Sequence, residues 1–435
     1  MDRLSRIFNL NNIVAAKLRV CAPILFLCFI GLLALKSTSI DTLGEHSVFY
    51  KQFIWLSIGI FAFIFIQFTR NQLLYEFAYI FYFLILFLLI VTLFMPVIKN
   101  ATRWIVLGGL QFQPSEIGKV VIILAMARFL ADYKDVLSDQ QLILSTGMIA
   151  LLPLILIFKQ PDYGTGIMYL LPIAPMLYWS GVKVKSILLY IFPIISMIAT
   201  YSLIGYTIWM FLLIVMLISF RFKIITIISN FIINVGFGLF AVNAYDNLLN
   251  DYHRNRIYDY FQNLFLGGSD SYMGIGYQAF QSKVAIGSGG FFGKGLGEGT
   301  QSYLRFLPIK DSDFIVSVIS EELGLFFILL IIAAFMVFVY NSLDFAQRIF
   351  NKFYSLSIVG FTFMLFFHII VNMSMITGLF PVIGLPFPFI SYGGSFMLTC
   401  FIIIAIINNM INLSMKIILL GDNIIPKIIL PSYLY

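Results

Sequence analysis

Apolar runs of about 17 to 25 residues recur from one end of this chain to the other, each long enough to carry a helix across a hydrocarbon layer about 30 Å thick. They lie at about Val20–Leu35, Phe53–Phe68, Phe77–Met95, Ile117–Leu130, Leu142–Phe158 and Gly166–Trp179, then at Ile187–Leu203, Tyr206–Ser219, Ile224–Val242, Phe314–Tyr340, Tyr354–Ile376 and Met397–Met415. Of 435 residues, 61% are hydrophobic and only 11% charged, against about 25% charged in a soluble domain. There is too little polar surface to cover that much core. The expected class is an all-α polytopic membrane protein, a single bundle of about twelve transmembrane helices; a soluble enzyme, a disordered chain and a barrel of short alternating strands all fit poorly.

An excess of basic residues, 27 Lys and Arg against 20 Asp and Glu for a net +7, would suggest nucleic acid in a soluble protein. Here the cations sit at the ends of apolar runs and read as cytoplasmic anchors against anionic lipid. With the N-terminus inside, Arg3, Arg6, Lys17, Arg19, Arg70, Arg128, Lys134, Lys183, Lys185, Arg221, Lys223, Arg348, Lys352 and Lys416 all fall on the cytoplasmic side. Both termini are therefore expected in the cytoplasm, and no nucleic-acid partner is expected. Residues 1–19 read as a cytoplasmic lead-in, 20–415 as the membrane domain and 416–435 as a cytoplasmic tail. Cys21, Cys28 and Cys400 lie inside apolar stretches and read as small buried hydrophobes without a disulfide or metal framework.

The same alternation leaves three polar segments outside: Lys99–Glu116, Gln160–Thr165 and the long stretch Asn243–Asp313. A connection of that length exceeds what connectivity needs, and long ordered loops are usually functional. No internal repeat is evident, which argues against a transporter built from matched halves. Seven glycines between Gly287 and Gly299 permit close backbone approach. They make a poor nucleotide loop, since the closing Lys-Ser or Lys-Thr pair is missing and no strand precedes them.

Acidic residues follow the glycines. Asp311 and Asp313 precede the apolar run opened by Phe314, where helix capping is their ordinary role; Glu321 and Glu322 are expected roughly 12 Å deeper along a continuous helix, facing protein or water and most simply forming a structural ion pair. In FQPSEIGK, Lys119 stands three residues after Glu116, which suits an i,i+3 salt bridge. KQPDYGT sets Lys159 and Asp162 at another membrane edge, and Lys119 and Lys159 are candidate phosphate holders. The stretch Asn372–Met397 carries Pro381, Pro386, Pro388, Gly393 and Gly394, which cannot continue a helix. A loop lining a cavity is expected there, with Asn372 and Ser391 satisfying its freed backbone groups and Gly393 and Gly394 packed closely.

These segments resemble the SEDS family (shape, elongation, division and sporulation), and its RodA branch more than FtsW. The likeness is carried by WIVLGGLQFQPSEIGK (Trp104–Lys119), QPDYGT (Gln160–Thr165), YHRNRI (Tyr252–Ile257), QSKVAIGSGGFFGKGLGEGTQSYLRFLP (Gln281–Pro308), DFIVSVISEELG (Asp313–Gly324) and the loop Asn372–Ser395, six stretches in order. The resemblance implies a peptidoglycan glycosyltransferase of the bacterial cytoplasmic (inner) membrane that polymerises lipid II during cell elongation and rod-shape maintenance, with its active site on the extracytoplasmic face. Its expected associates are the growing glycan strand, a class B penicillin-binding transpeptidase and the elongation machinery. The competing reading is a flippase for lipid-linked cell-wall precursors.

The resemblance also implies Asp313 as general base, with Lys119, Lys159 or Arg305 holding the departing diphosphate beside Glu116 and Asp162. Magnesium or another divalent cation is an expected helper, although no dedicated metal cage is visible, and no organic cofactor is expected. Two departures stand out. Family members commonly read Pro-Glu-x-His-Thr-Asp-Phe where this chain has Pro308, Ile309, Lys310, Asp311, Ser312, Asp313 and Phe314, so Asp311 would raise the Asp313 pKa if the two carboxylates approach. The family core has about ten spans, which makes Ile187–Ser219 an inserted hairpin; a hairpin leaves the sidedness of the later loops unchanged.

Overall fold

The computed structural model describes residues 2–39, 47–97, 101–107, 110–247, 254, 277–303, 307 and 310–420. Helices account for most of them: α1 (Asp2–Thr38), α2 (Val48–Gln67), α3 (Asn71–Glu76), α4 (Ala78–Thr92), α5 (Pro114–Tyr133), α6 (Asp139–Lys159), α7 (Tyr163–Leu170), α8 (Ile173–Trp179), α9 (Val184–Ala199), α10 (Leu203–Ser219), α11 (Ile224–Asn247), α12 (Tyr277–Gly289), α13 (Thr300–Tyr303), α14 (Ile315–Arg348), α15 (Lys352–Ile376) and α16 (Gly394–Leu420). Their starts follow from local chemistry. Ser47, Ser138 and Asn351 cap α2, α6 and α15 by accepting a backbone N–H three residues on, and Ser138 with Gln141 forms a full capping box.

Every apolar run read from the sequence is helical, but not all are full spans. Among the described residues seven helices are long and apolar enough to cross a membrane, and three more, α4, α9 and α10, are apolar but shorter. The chain is thus a polytopic, mostly α-helical membrane protein in which about seven to ten of the described helices are apolar and long enough to span. The run Gly166–Trp179 differs most from expectation, being broken into α7 and α8 around Pro172, whose ring removes a backbone donor. The stretch Ile187–Ser219 forms two helices, α9 and α10, and packs with α11. Polar groups fasten the three inside the apolar layer: Trp209 Nε1 donates to Ser196 Oγ (2.8 Å), Ser196 Oγ to Asn234 Oδ1 (2.6 Å), and Asn230 Nδ2 to the Leu189 carbonyl (3.1 Å).

Around the centre, α16 lies along α2 and α1, α1 along α14, α14 along α12 and α15, and α15 against α5. Helices α15 and α16 are mostly enclosed while α2 is peripheral. One short antiparallel hairpin was not anticipated: β1 (Ile105–Leu107) pairs with β2 (Leu110–Phe112) in the register Ile105↔Phe112. Its sequence signal is the pair Gly108-Gly109 between two β-prone triplets.

A break in α14 follows Glu321 and Glu322. Gly324 has φ 81° and ψ 179°, so Ile315–Leu323 and Leu325–Arg348 are separate helices, and the second alone is roughly 36 Å long at 1.5 Å per residue. Glu322 accepts from Ser37 Oγ at 2.6 and 2.7 Å, one residue before the end of α1. The two glutamates therefore pack beside that helix end, on the helical segment that opens after Asp313. The glycine loop after α12 satisfies the backbone freed at the break: Leu325 N donates to Gly290 O, Phe326 N to Phe291 O, Lys294 N to Glu321 O and Gly295 N to Glu322 O, at 2.9–3.0 Å. Glu321, fully buried, is a structural acid. It pairs with Lys294 Nζ (2.8 Å) and accepts from Thr300 Oγ1 (2.9 Å) and Gln301 N (3.2 Å).

Candidate active site

Three sequence segments far apart in the chain meet at one end of the bundle. The proline-rich loop after α15 carries the middle of the site. Asn372, fully buried, donates through Nδ2 to the carbonyls of Asp313 (2.9 Å) and Leu385 (2.7 Å). Ser391 Oγ donates to the Ser312 carbonyl (2.6 Å) and accepts from Phe387 N (2.7 Å), and Tyr392 N donates to the Asp311 carbonyl (2.9 Å). Gln52 on α2 reinforces the loop by donating to the Ser391 carbonyl (3.1 Å). Asn372 and Ser391 thus have the backbone-satisfying role expected of them, since groups freed by Pro381, Pro386 and Pro388 have few other partners within an apolar layer.

Asp313 sits in that frame, 8% exposed, with Ser312 Oγ donating to Oδ1 at 2.8 Å. It is not the helix cap, because Phe314 occupies the cap position and makes no side-chain cap bond. Gly384, with φ 74°, leaves room beside the carboxylate: a Cβ there would stand 3.4 Å from Oδ2. Asp311 is partly exposed, and its Oδ1 is buried with no hydrogen-bond partner.

The second segment lies next to this loop. Glu116 and Lys119 form the i,i+3 salt bridge, both carboxylate oxygens standing 2.9 Å from Lys119 Nζ. Lys119 is 1% exposed and also lies 3.2 Å from His368 Nε2 and 5.2 Å from the Phe396 ring centroid. An ammonium so enclosed is matched by protein partners. Asp162, from the third segment, caps α7 at Thr165 N (3.4 Å), accepts from Gln113 Nε2 (2.7 Å) and pairs with Arg103 Nη1 (3.2 Å). Gln113 Nε2 also donates to Ser115 Oγ at 3.0 Å, so the second and third segments share one polar cluster. Gly164 ties them to the proline loop, its Cβ position being 2.6 Å from the Ile383 carbonyl.

Lys159 ends α6 on the exposed surface. Arg305 and Ile309 lie outside the described residues. Sequence reasoning missed Arg103, 30% exposed by side chain, as well as Gln113, Gln52 and His368. A lone Gln or His inside an apolar run is itself a signal, because a buried polar group there requires a partner. Among the described residues no group of three or more His, Cys, Asp or Glu side chains gathers as a metal site.

The close approach expected at Gly393 is sharper one residue on. A Cβ at Gly393 would meet Phe396 Cβ at 3.3 Å, whereas at Gly394 it would come within 2.3 Å of the Trp55 ring. Gly394→Ala is expected to destabilise the detergent-solubilised protein more than Gly393→Ala, by about 1–3 kcal/mol for the overpacked position, read as a lower thermal midpoint. Equal melting of the two variants would remove Trp55 as the reason for glycine at 394.

A family model described as cell cycle protein, covering FtsW, RodA and SpoVE, matches residues 18–206 and 201–415. The peptidoglycan glycosyltransferase MrdB of Escherichia coli is 33% identical over 320 residues, 73% of this chain and 72% of that protein. The peptidoglycan glycosyltransferase RodA of Treponema pallidum is 27% identical over 423 residues, 87% and 93% of the two chains. A solved structure described as "Structural coordination of polymerization and crosslinking by a peptidoglycan synthase complex" shares the fold with TM-score 0.63 at 21% identity, over 88% of this chain and 95% of the other.

Proposed function

Because this chain belongs to the FtsW, RodA and SpoVE family of cell cycle proteins, we propose that it is a peptidoglycan glycosyltransferase that polymerises lipid II into glycan strands, acting as a RodA-type enzyme in cell elongation. The observation that carries the reading is Asp313. A carboxylate whose backbone is pinned by Asn372 and whose neighbour Ser312 is pinned by Ser391 is a fixed acid-base group at one end of the bundle. A polymerase needs such a group; a flippase needs a substrate path through the middle.

In the reaction, the 4-hydroxyl of one lipid II attacks the anomeric carbon of the growing chain. The bond from that carbon to the diphosphate oxygen breaks, the electron pair leaves with undecaprenyl diphosphate, and the hydroxyl proton passes to the Asp313 carboxylate. Inversion in one displacement needs no second carboxylate as nucleophile. The exposed Lys159 and the partly exposed Arg103 are assigned to the departing diphosphate, and Arg305, outside the described residues, is assigned the same role from the resemblance alone. Lys119, enclosed by Glu116 and His368, acts on it from inside the bundle by setting the local charge. A magnesium or other divalent ion would supply Lewis-acid neutralisation of the diphosphate, and the unpartnered Asp311 Oδ1 is the donor left for it.

The helices α1, α2, α4, α5, α6, α7 with α8, α9, α10, α11, α14, α15 and α16 are assigned to about twelve crossings, with both termini cytoplasmic and Asp313 on the outer face. The positive charges support that orientation. A class B penicillin-binding transpeptidase is the assigned partner. Purified chain given lipid II and such a transpeptidase is expected to produce glycan polymer. Movement of lipid II across a vesicle without polymer would replace this reading by the flippase.

A further inference from the structure

The glycine loop after α12 holds both sides of the break in α14, and the chemistry above leaves the side chains it displays without a task. Phe291 and Phe292 are 51% and 80% exposed, with their rings edge to face at 4.9 Å, and Leu296 is half-exposed further along the loop. The charge pattern puts this stretch outside the membrane, where two neighbouring phenyl rings would face water. Burying one Phe side chain fully is worth about 1.5–3 kcal/mol, so the pair calls for a cover.

What covers it follows from where the loop stands. Residues 325–343 carry no charge, and at 1.5 Å per residue they extend roughly 28 Å, about the thickness of a hydrocarbon layer. Asp344 then marks one boundary of the layer and Leu325 the other. The loop is bonded to α14 at that second boundary, where Leu325 N donates to Gly290 O and Phe326 N to Phe291 O, both at 3.0 Å. The Phe291 ring lies 6.1 Å from the Phe326 ring. The loop's phenyls therefore continue an exposed face of α14 that includes Leu325, Phe326 and Leu329.

The chemistry of this face suits lipid. Irregular backbone is tolerated at membrane depth only where protein satisfies it, and here Gly293 N donates to Gly289 O, Lys294 N to Glu321 O and Gly295 N to Glu322 O. Helices that pack against another protein in a bilayer present small residues for close approach; this face presents Phe and Leu. Lys294, paired with Glu321 and 28% exposed by side chain, stands two residues past Phe292. A polar group thus borders the apolar pair, as it does where aromatic side chains sit at a membrane–water interface.

We propose that Phe291 and Phe292 anchor the glycine loop at the membrane boundary on the Asp313 side, in contact with the acyl chains of bilayer phospholipid. The bilayer holds the loop, and the loop holds both sides of the break at Gly324, including the helical segment that opens after Asp313. This surface does not depend on the polymerase reading.

The test uses the whole chain in nanodiscs, both faces of which are open to water. Phe292→Trp keeps an aromatic ring and adds one emitter to Trp55, Trp104, Trp179 and Trp209, so subtracting the parent spectrum isolates it. In nanodiscs of phosphatidylglycerol and chain-brominated phosphatidylcholine, bromine near the head of the chain should remove most of the added emission, and bromine near the chain end should remove less. Iodide in the buffer should remove little. Phe291→Trp should respond in the same way. Quenching by iodide and not by bromine would put the pair in water. Quenching by neither would mean that protein covers it, as in a pair of copies. Stronger quenching from the chain end would place it in the middle of the layer. Each of these three results overturns the proposal. A chain that makes no polymer from lipid II but shows the expected quenching loses the functional reading and keeps this surface.

Discussion

Asp313→Asn is expected to abolish measurable polymerisation while leaving a folded, membrane-inserted protein. The amide has the shape of the carboxylate, and Ser312 Oγ can still donate to its oxygen in place of Oδ1. The bonds that hold position 313 in place use its carbonyl and that of Ser312, not the side chain, so the frame should survive. What disappears is the capacity to take a proton. A positioned general base contributes typically 10²–10⁴-fold, which places the expected fall in kcat in that range. Asp311→Asn should be milder, because the frame holds Asp311 by its carbonyl through Tyr392 N and the amide oxygen that replaces Oδ1 can still face a cation. The check is polymer length and yield from lipid II beside a melting curve for each variant. Near-parental turnover by a correctly inserted Asp313→Asn protein would exclude Asp313 as the base.

How much of this was legible without coordinates depended on the range of the interaction. Helix positions followed from apolar run length, because a lipid-embedded backbone must bond to itself, and the Glu116–Lys119 pair followed from helical spacing. The partnerships across the bundle did not follow. Nothing local in the sequence says that Asn372 would reach Asp313, 59 positions away, or that Gln52 would meet Ser391. Lys119 illustrates the limit. Its charge and its place near a membrane edge suggest a phosphate holder, and what stays hidden is that its neighbours enclose it, because His368 supplies a partner that only α15 packing against α5 brings near. The break in α14 stayed hidden for the opposite reason: the apolar run reads as one helix, and the glycine that breaks it looks in sequence like any other small residue.

That glycine is where the second large effect is expected. Gly324 stands at φ 81°, ψ 179°, a region that is essentially glycine-only and costs other residues about 1–3 kcal/mol. A Cβ would also fall 2.3 Å from Gly293 N and 2.5 Å from Phe291 O, atoms of backbone that cannot swing aside. Relief would require separating the glycine loop from α14, which breaks the bonds from Leu325 and Phe326 to Gly290 and Phe291 and leaves four polar groups without partners in an apolar layer. Together these terms place Gly324→Ala above about 4 kcal/mol, in the range of exceptional single substitutions. Gly287 serves as the contrast, because a Cβ there meets nothing within 4 Å and the residue lies in α12, where Ala is worth roughly 0.5–1 kcal/mol over glycine. Gly287→Ala should therefore melt at or slightly above the parent in detergent, and Gly324→Ala far below it. The loss should reach the chemistry as well, since Ile315–Leu323 runs directly from Asp313 to the break and takes its direction from Gly324. A Gly324→Ala protein with parental melting and parental polymer yield would mean that the two halves of α14 do not need this break, and that the glycine loop does not set where Asp313 stands.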